Sequence, residues 1–168
     1  MNPTPTTVLF LSTGDAARGI LAEALLRHKG GSCLDAPRFV AHSAGYSPLP
    51  KVDPRVLELL RDNGVSTDGL YPKSWKDFFE SPRSILVDVI VTLSEEARAH
   101  CPQWPGDPVR VHWPVDNPLA AMDDNERESK FRKCFITMQN RVEALIKQRA
   151  PHSSVDLMFQ LRSIAAVV

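Results

Sequence analysis

The sequence carries no surplus of positive charge: 20 Lys and Arg are matched by 20 Asp and Glu, for a formal net charge of zero. Nucleic-acid binders normally show a basic excess, and no basic patch interleaved with aromatics stands out, so a nucleic-acid partner is set aside. Zero net charge also weakens colloidal repulsion and favours self-association. Cysteine is scarce. Cys33, Cys101 and Cys134 are odd in number and far apart, giving neither a disulfide framework nor a CxxC-type zinc site. They read as reduced thiols, two of them buried. No membrane span is expected either, because the fairly apolar tail Val155–Val168 is short and interrupted by Asp156, Gln160, Arg162 and Ser163. The Pro/Thr-rich start has no basic segment ahead of an apolar run, so no signal peptide is expected and the chain is read as cytoplasmic. Repeats and low-complexity tracts are missing too. What is present is 168 residues with 43% hydrophobic and 24% charged content, enough for one cored domain and too apolar for a disordered chain.

Strand-like and helix-like segments alternate along the chain. Thr7–Leu11 is a short apolar run of β-formers, the pattern of a strand buried on both faces. Ile20, Leu21, Ala24 and Leu25 follow at helical spacing, stopped by Gly30-Gly31. Arg38–Ala41 reads as a second strand. Asp53-Pro54 supplies an N-cap and a proline at the first helical position, with Val56, Leu57 and Leu60 inward and an end at Asn63-Gly64. Ser74–Asp77 resembles a capping box. Leu86–Leu93 is the strongest strand signal, followed by Ser94 as the cap of a short helix over Glu95–His100, and Val109–Trp113 alternates as a fourth strand. A long helix is expected from about Asp123 to Arg149, its acidic start and basic end complementing the macrodipole. Residues 1–150 are read as the main domain and 151–168 as a C-terminal helical extension. There Leu157, Met158, Leu161, Ile164, Ala165 and Val168 form a stripe that either covers the protein's own core or makes a homodimer. The alternation predicts an α/β fold on a parallel sheet, with ligands at the carboxyl ends of the strands. Ser12–Arg18, Ser43–Val52, the segment from Ser94 and Pro114–Met122 are the loops to inspect.

The most informative stretch is VLFLSTGDAARGILAEA, residues 8–24, where a strand runs into a helix through a loop of small residues. Backbone N–H groups of Thr13, Gly14, Asp15, Ala16 and Ala17 in such a loop form an anion-binding concavity, and the helix N-terminus adds positive field. Gly14 is expected to take the unusual dihedrals of a tight cradle. Arg18 is expected to clamp two oxygens of a tetrahedral oxyanion with its planar fork. The plainer alternative is an ordinary βα turn with a surface arginine.

In this stretch, and again in HSAGYSPLPKVDPRVLELLRDNGVSTDGL, KSWKDF, VIVTLSEEARAHCPQWPG and VHWPVDNP, the chain resembles the low-molecular-weight protein tyrosine phosphatase superfamily. Within it, the closest likeness is to the thioredoxin-coupled arsenate reductases, from about Val8 to Pro118. The resemblance implies a three-layer α/β/α, Rossmann-like fold with four parallel strands. It implies an active loop of Cys, five residues and Arg, followed by Ser or Thr, whose thiolate attacks phosphorus or arsenic. Here the nucleophile position is Ser12, which the same field would not ionise. No His is adjacent in sequence, leaving His42 or His112 to approach in space as its base.

Other positions depart from the implied pattern as well. The hydroxyl residue after the arginine is Gly19, and the loop Asn is Asp15, which is expected to place negative charge where an anion sits. The general-acid position is Asn117, with Asp116 displaced by one residue. The first resolving cysteine aligns with Ser94, and the remaining Cys101 is read as a packed thiol. The resemblance also implies a potassium site near the loop, for which Glu23 and Ser43 are retained. The alternative for Glu23 is a helix-surface carboxylate. No other cofactor is expected. Phosphate or sulfate is the expected loop ligand, and a small oxyanion or phosphorylated molecule the expected partner. Together these departures favour a pseudoenzyme that keeps the fold and the anion loop as a binding or regulatory module. The alternative is an active phosphatase or arsenate reductase in which Ser12 replaces the cysteine and Asp116 serves as acid.

Overall fold

The apolar runs pair side by side as strands β1 (Thr6–Ser12), β2 (Phe39–Gly45), β3 (Val89–Thr92) and β4 (Val109–His112), all parallel and in the order β2-β1-β3-β4. Between and after them lie helices α1 (Arg18–Gly30), α2 (Pro54–Asp62), α3 (Glu95–His100), α4 (Asp124–Lys147) and α5 (Ser154–Ile164). The computed structural model describes residues 4–30, 38–80 and 84–168. Gly31, expected to help stop the first helix, and Cys33 lie outside the described residues.

Successive side chains leave opposite faces of a strand, and that alternation builds two cores. Val8, Phe10, Val89, Val91 and Val111 meet buried residues of α1, α2, α4 and α5 on one face. Leu9, Leu11 and Ile90 meet Trp75, Phe78, Ala97 and Trp104 on the other. Each large apolar side chain removed from water contributes roughly 1.5–3 kcal/mol. Trp75, Trp104 and Trp113 are all buried, as packing residues rather than exposed platforms.

Local chemistry sets the helix starts. Asp53 accepts the Arg55 N–H at 2.9 Å ahead of Pro54, and Ser94 accepts the Ala97 N–H at 3.2 Å. Ser74 and Asp77 form the expected capping box around a single 3-10 turn, Trp75–Phe78. Two strands differ from expectation by more than one residue at an end. β2 runs past Ala41 to Gly45, because Ser43–Gly45 pair in register with Phe10–Ser12 instead of forming a loop. β3 begins only at Val89, and Leu86 is exposed. Apolar content alone did not reveal that only the last part of that run reaches the sheet.

The stripe of α5 packs on β4 and α4 of its own chain, burying Leu161 and Ile164. The Trp113 indole N–H donates to the Leu161 carbonyl at 2.8 Å. Arg141 gathers the carbonyls of Pro114, Ala165 and Val167 at 3.1, 3.0 and 2.9 Å. Val155 and Phe159 remain exposed on its outer side. Among the described residues, no helix is long and apolar enough to cross a membrane.

The topology also locates the site. The chain leaves β1 toward β2 on one side and returns across β1 to reach β3, so the connection reverses at the carboxyl end of β1. Ligands of open parallel sheets bind at such a switch point. The Ser12–Arg18 loop occupies it.

Candidate functional site

Between β1 and the first turn of α1 the chain reverses over a few small residues, and a neighbouring segment holds it from outside. The carbonyls of Ser12, Thr13, Gly14 and Ala16 accept the amides of Tyr46 (3.0 Å), Ser47 (2.8 Å), Leu49 (2.8 Å) and Asp53 (2.9 Å). Gly45 permits this approach, since a Cβ there would sit 3.0–3.1 Å from the backbone of Thr13, Gly14 and Asp15. With the loop carbonyls engaged on that side, the amides of Gly14, Ala16 and Ala17 have no acceptor among the described residues. Residues 12–18 line a cleft of about 230 Å³ completed by Ser47, Leu49, Asn117 and Leu119. Spare amides at a helix start are the physical basis of an anion cradle. Arg18 is buried against the cleft and donates through Nη1 to the Val115 carbonyl at 3.0 Å. Burial draws its pKa below the ordinary value, yet a guanidinium stays charged. The surface-arginine alternative is thereby excluded.

The left-handed residue of the loop is Asp15, at φ 47°, and not Gly14 as expected. A short polar side chain tolerates that region. Gly14 is small for another reason: a Cβ there would meet Leu49 Cγ at 3.0 Å. Asp15 also corrects the expected charge in the cradle, because its carboxylate is fully buried behind the loop. Oδ2 accepts the Lys73 backbone N–H at 2.9 Å and lies 3.8 Å from Lys73 Nζ, while Oδ1 has no hydrogen-bond partner. Gly19 is its steric complement, since a Cβ at position 19 would lie 2.8 Å from Asp15 Oδ1. Burial pushes the Asp15 pKa up to about 7, against the opposing pull of Lys73.

Glu23 is fully buried as well, not on the helix surface. Its Oε2 accepts the Ser43 hydroxyl and lies 3.2 Å from Lys73 Nζ, and its Oε1 pairs with Arg27. Lys73 Nζ donates to the Tyr71 carbonyl at 2.8 Å, sits 3.5 Å from Ser43 Oγ and lies 4.7 Å from the centre of the Tyr71 ring. The Glu23 and Ser43 oxygens expected around a potassium ion thus converge on an ammonium group. Among the described residues, no group of three or more His, Cys, Asp or Glu is arranged to hold a metal.

The remaining predicted residues are distributed as follows. Ser12 is buried, and its Oγ accepts the Asp15 N–H at 3.1 Å. His112 contacts Thr92 Oγ1 and Glu95 Oε1, each at 2.8 Å, and His42 packs edge-on against Phe78, so neither ring hydrogen-bonds Ser12. Asn117 lines the cleft, but its side chain accepts the Leu119 N–H at 3.2 Å and caps the turn Pro118–Ala120. Asp116 is 83% exposed and 3.8 Å from Lys133, and it does not line the cleft, although its charge acts on Arg18. Ser94 caps α3 and shares a 3.0 Å hydrogen bond with Thr13 Oγ1, which also donates to Glu96 at 2.6 Å. Cys101 ends α3, its thiol pushed up by burial, and burial pushes Cys134 on α4 up to about 12. Neither thiol is ionised at neutral pH. Sequence reasoning missed Lys73 as a member of the loop's support. It lies 58 residues from Asp15, and nothing in Tyr71-Pro72-Lys73-Ser74 marks a buried lysine.

A parallel sheet in β2-β1-β3-β4 order, with a loop of spare amides and a buried arginine at its switch point, defines a three-layer α/β protein of the Rossmann-like class. The chain belongs to the low molecular weight phosphotyrosine protein phosphatase family, whose sequence model matches residues 7–154. An arsenate reductase of Bacillus cereus (strain Q1) is 31% identical over 114 residues, 68% of this chain and 78% of that protein. One from Halalkalibacterium halodurans is 28% identical over 137 residues, 81% of this chain and 91% of that protein. The solved structure of a thioredoxin-dependent arsenate reductase from Corynebacterium glutamicum aligns with a TM-score of 0.63 at 26% identity. That alignment covers 88% of this chain and 63% of the other. The similarity therefore lies with the arsenate reductase branch of the family.

Proposed function

We propose that this protein binds a small tetrahedral oxyanion, or the phosphoryl group of a larger molecule, in the Ser12–Arg18 loop without forming a covalent intermediate. The observation that carries this reading is the division of roles within the loop. Residues 12–18 all line the cleft, but the spare amides and Arg18 are what an anion would meet, whereas the Ser12 hydroxyl accepts the Asp15 N–H and hydrogen-bonds neither His42 nor His112. A serine of ordinary acidity needs a positioned base before it attacks. Proton delivery is equally unsupported, because Asn117 is an amide and Asp116 faces Lys133. The role is then binding or regulation in the cytoplasm. Affinity rests on one loop and one arginine, since the overall field of a neutral chain adds nothing. As a second proposal, the exposed Val155 and Phe159 on α5 form a homodimer contact; Phe159→Asp should halve the sedimenting mass, and an unchanged mass overturns it.

The experiment is thermal denaturation with phosphate, sulfate or arsenate, in parallel with turnover assays. An anion held at one hundred times its Kd adds about 2.7 kcal/mol to stability. Parent protein and Ser12→Cys should both stay at background with an aryl phosphate, and in thioredoxin-dependent arsenate reduction. Absence of anion stabilisation overturns the binding reading. Appreciable turnover by Ser12→Cys overturns the non-catalytic one.

A further inference from the structure

Behind the anion loop lies a buried cluster in which two carboxylates, Asp15 and Glu23, face one lysine. Its geometry is that of a coordinated cation. Lys73 Nζ is surrounded by the Tyr71 carbonyl (2.8 Å), Glu23 Oε2 (3.2 Å), Ser43 Oγ (3.5 Å) and Asp15 Oδ2 (3.8 Å), and the Tyr71 ring covers it at 4.7 Å. Asp15, Glu23 and Ser43 are fully buried, and the Lys73 side chain is 10% exposed. Two buried carboxylates need positive charge beside them, because an uncompensated buried ion is strongly disfavoured. Arg27 pairs with Oε1 of Glu23, and among the described residues Lys73 is the cation beside Glu23 Oε2 and Asp15 Oδ2. These residues do not fit a potassium ion. A potassium ion bound to Glu23 and Ser43 would share oxygens with an ammonium already within 3.2–3.5 Å of them, and like charges at that separation repel.

We infer that Lys73 is a tethered counter-cation, built into the fold at the place where a free monovalent cation would otherwise be needed to hold Asp15, and with it the anion loop, in position. The loop is thereby made independent of the surrounding cation. This inference does not depend on what binds in the cleft. Three links connect Lys73 to the loop: its backbone N–H holds Asp15 Oδ2, its carbonyl accepts the Gly45 N–H at 2.7 Å, and Gly45 packs on Thr13, Gly14 and Asp15. Truncating the side chain leaves those backbone links and removes only the charge and the stem. The vacated space is lined by two carboxylates, a hydroxyl and a carbonyl, a donor set suited to a hard monovalent cation.

The test uses anion-free protein in KCl, NaCl or choline chloride at one ionic strength, with thermal unfolding midpoint as the readout. The parent midpoint should be the same in all three salts to within about 1 °C. Lys73→Ala should melt lower by roughly 5 °C or more in choline chloride, a shift typical of losing a buried interaction in a domain of this size. It should recover at least half of that loss in KCl or NaCl. A parent protein that is specifically stabilised by potassium overturns the inference. So does a Lys73→Ala variant indifferent to the cation, since a lysine acting only as packing would give that result. If the variant is unfolded in choline chloride, circular dichroism in KCl replaces the midpoint: a recovered fold supports the inference and an unfolded chain overturns it. Loss of phosphate binding with the parent midpoints still cation-independent would refute the proposed function while leaving this inference standing.

Discussion

Replacing Asp15 by Asn should stabilise the protein at neutral and alkaline pH, although the residue is buried and hydrogen-bonded. In the unfolded chain Asp15 releases its proton near 3.8, whereas in the native state burial holds that proton until about pH 7. Between those values the native state binds more protons than the unfolded state, so this group's contribution to stability falls as pH rises, then levels off above about pH 7. A displacement of roughly three units corresponds to about 4 kcal/mol at 1.36 kcal/mol per unit. About 2–3 kcal/mol of it develops between about pH 5 and pH 8. Lys73 opposes the displacement and Glu23 adds to it, but both are present in the variant, so the difference isolates residue 15. Asn keeps an oxygen for the Lys73 N–H and has no proton to lose. The assay is urea unfolding of both proteins at about pH 5, 6.5 and 8. The stability gap in favour of the variant should widen by about 2–3 kcal/mol across that range. A gap that stays constant or reverses would refute the assignment of a strained, late-titrating carboxylate behind the loop.

Two further perturbations follow from the packing. Gly19→Ala places a Cβ 2.8 Å from Asp15 Oδ1 and should cost about 1–3 kcal/mol; Asp15→Ala in the same chain should recover most of it, as a double-mutant cycle would read. Leu161→Ala should cost about 2–5 kcal/mol by chemical denaturation, because Leu161 is buried on the face of α5 that packs on β4; a loss below about 0.5 kcal/mol would mean that α5 is dispensable to the core.

How much of this was legible beforehand depended on how local the physics is. The β1–loop–α1 unit was readable because an apolar strand, a run of small residues and apolar residues at helical spacing are contiguous. The caps at Asp53, Ser74 and Ser94 were readable because a cap acts within three residues. The end of β2 was not, since Ser43–Gly45 look like loop residues until β1 supplies their partners. Likewise, Asp15 was legible as a departure from the family pattern but not as a buried group. Its direction is set by a left-handed backbone and by an amide 58 residues away, neither of which leaves a trace in hydrophobic periodicity. Gly14 misled for the same reason: a loop glycine suggests a positive φ, yet here it makes room for Leu49.

The departures from the family pattern are therefore coupled rather than scattered. Asp15 and Gly19 are sterically matched, and Lys73 supplies the charge that lets Asp15 stay buried. Ser94 takes a cap that a cysteine would make poorly, and Asn117 keeps the cap of its turn with no proton to give. This bears on what a thiol would do at position 12. A thiolate is stabilised by amides and a helix start but raised by nearby negative charge. Residue 12 is close to that charge, because Ser12 Oγ and Asp15 Oδ1 lie 3.3 and 2.8 Å from the one point that a Gly19 Cβ would occupy. In Ser12→Cys the thiol should titrate higher than in Ser12→Cys with Asp15→Asn, and the difference should appear above about pH 7, where Asp15 is ionised. The rate of alkylation by iodoacetamide against pH reads both midpoints. Coincident profiles would show that Asp15 has no electrostatic hold on the nucleophile position, and the proposed lack of turnover would then rest on Ser12 alone.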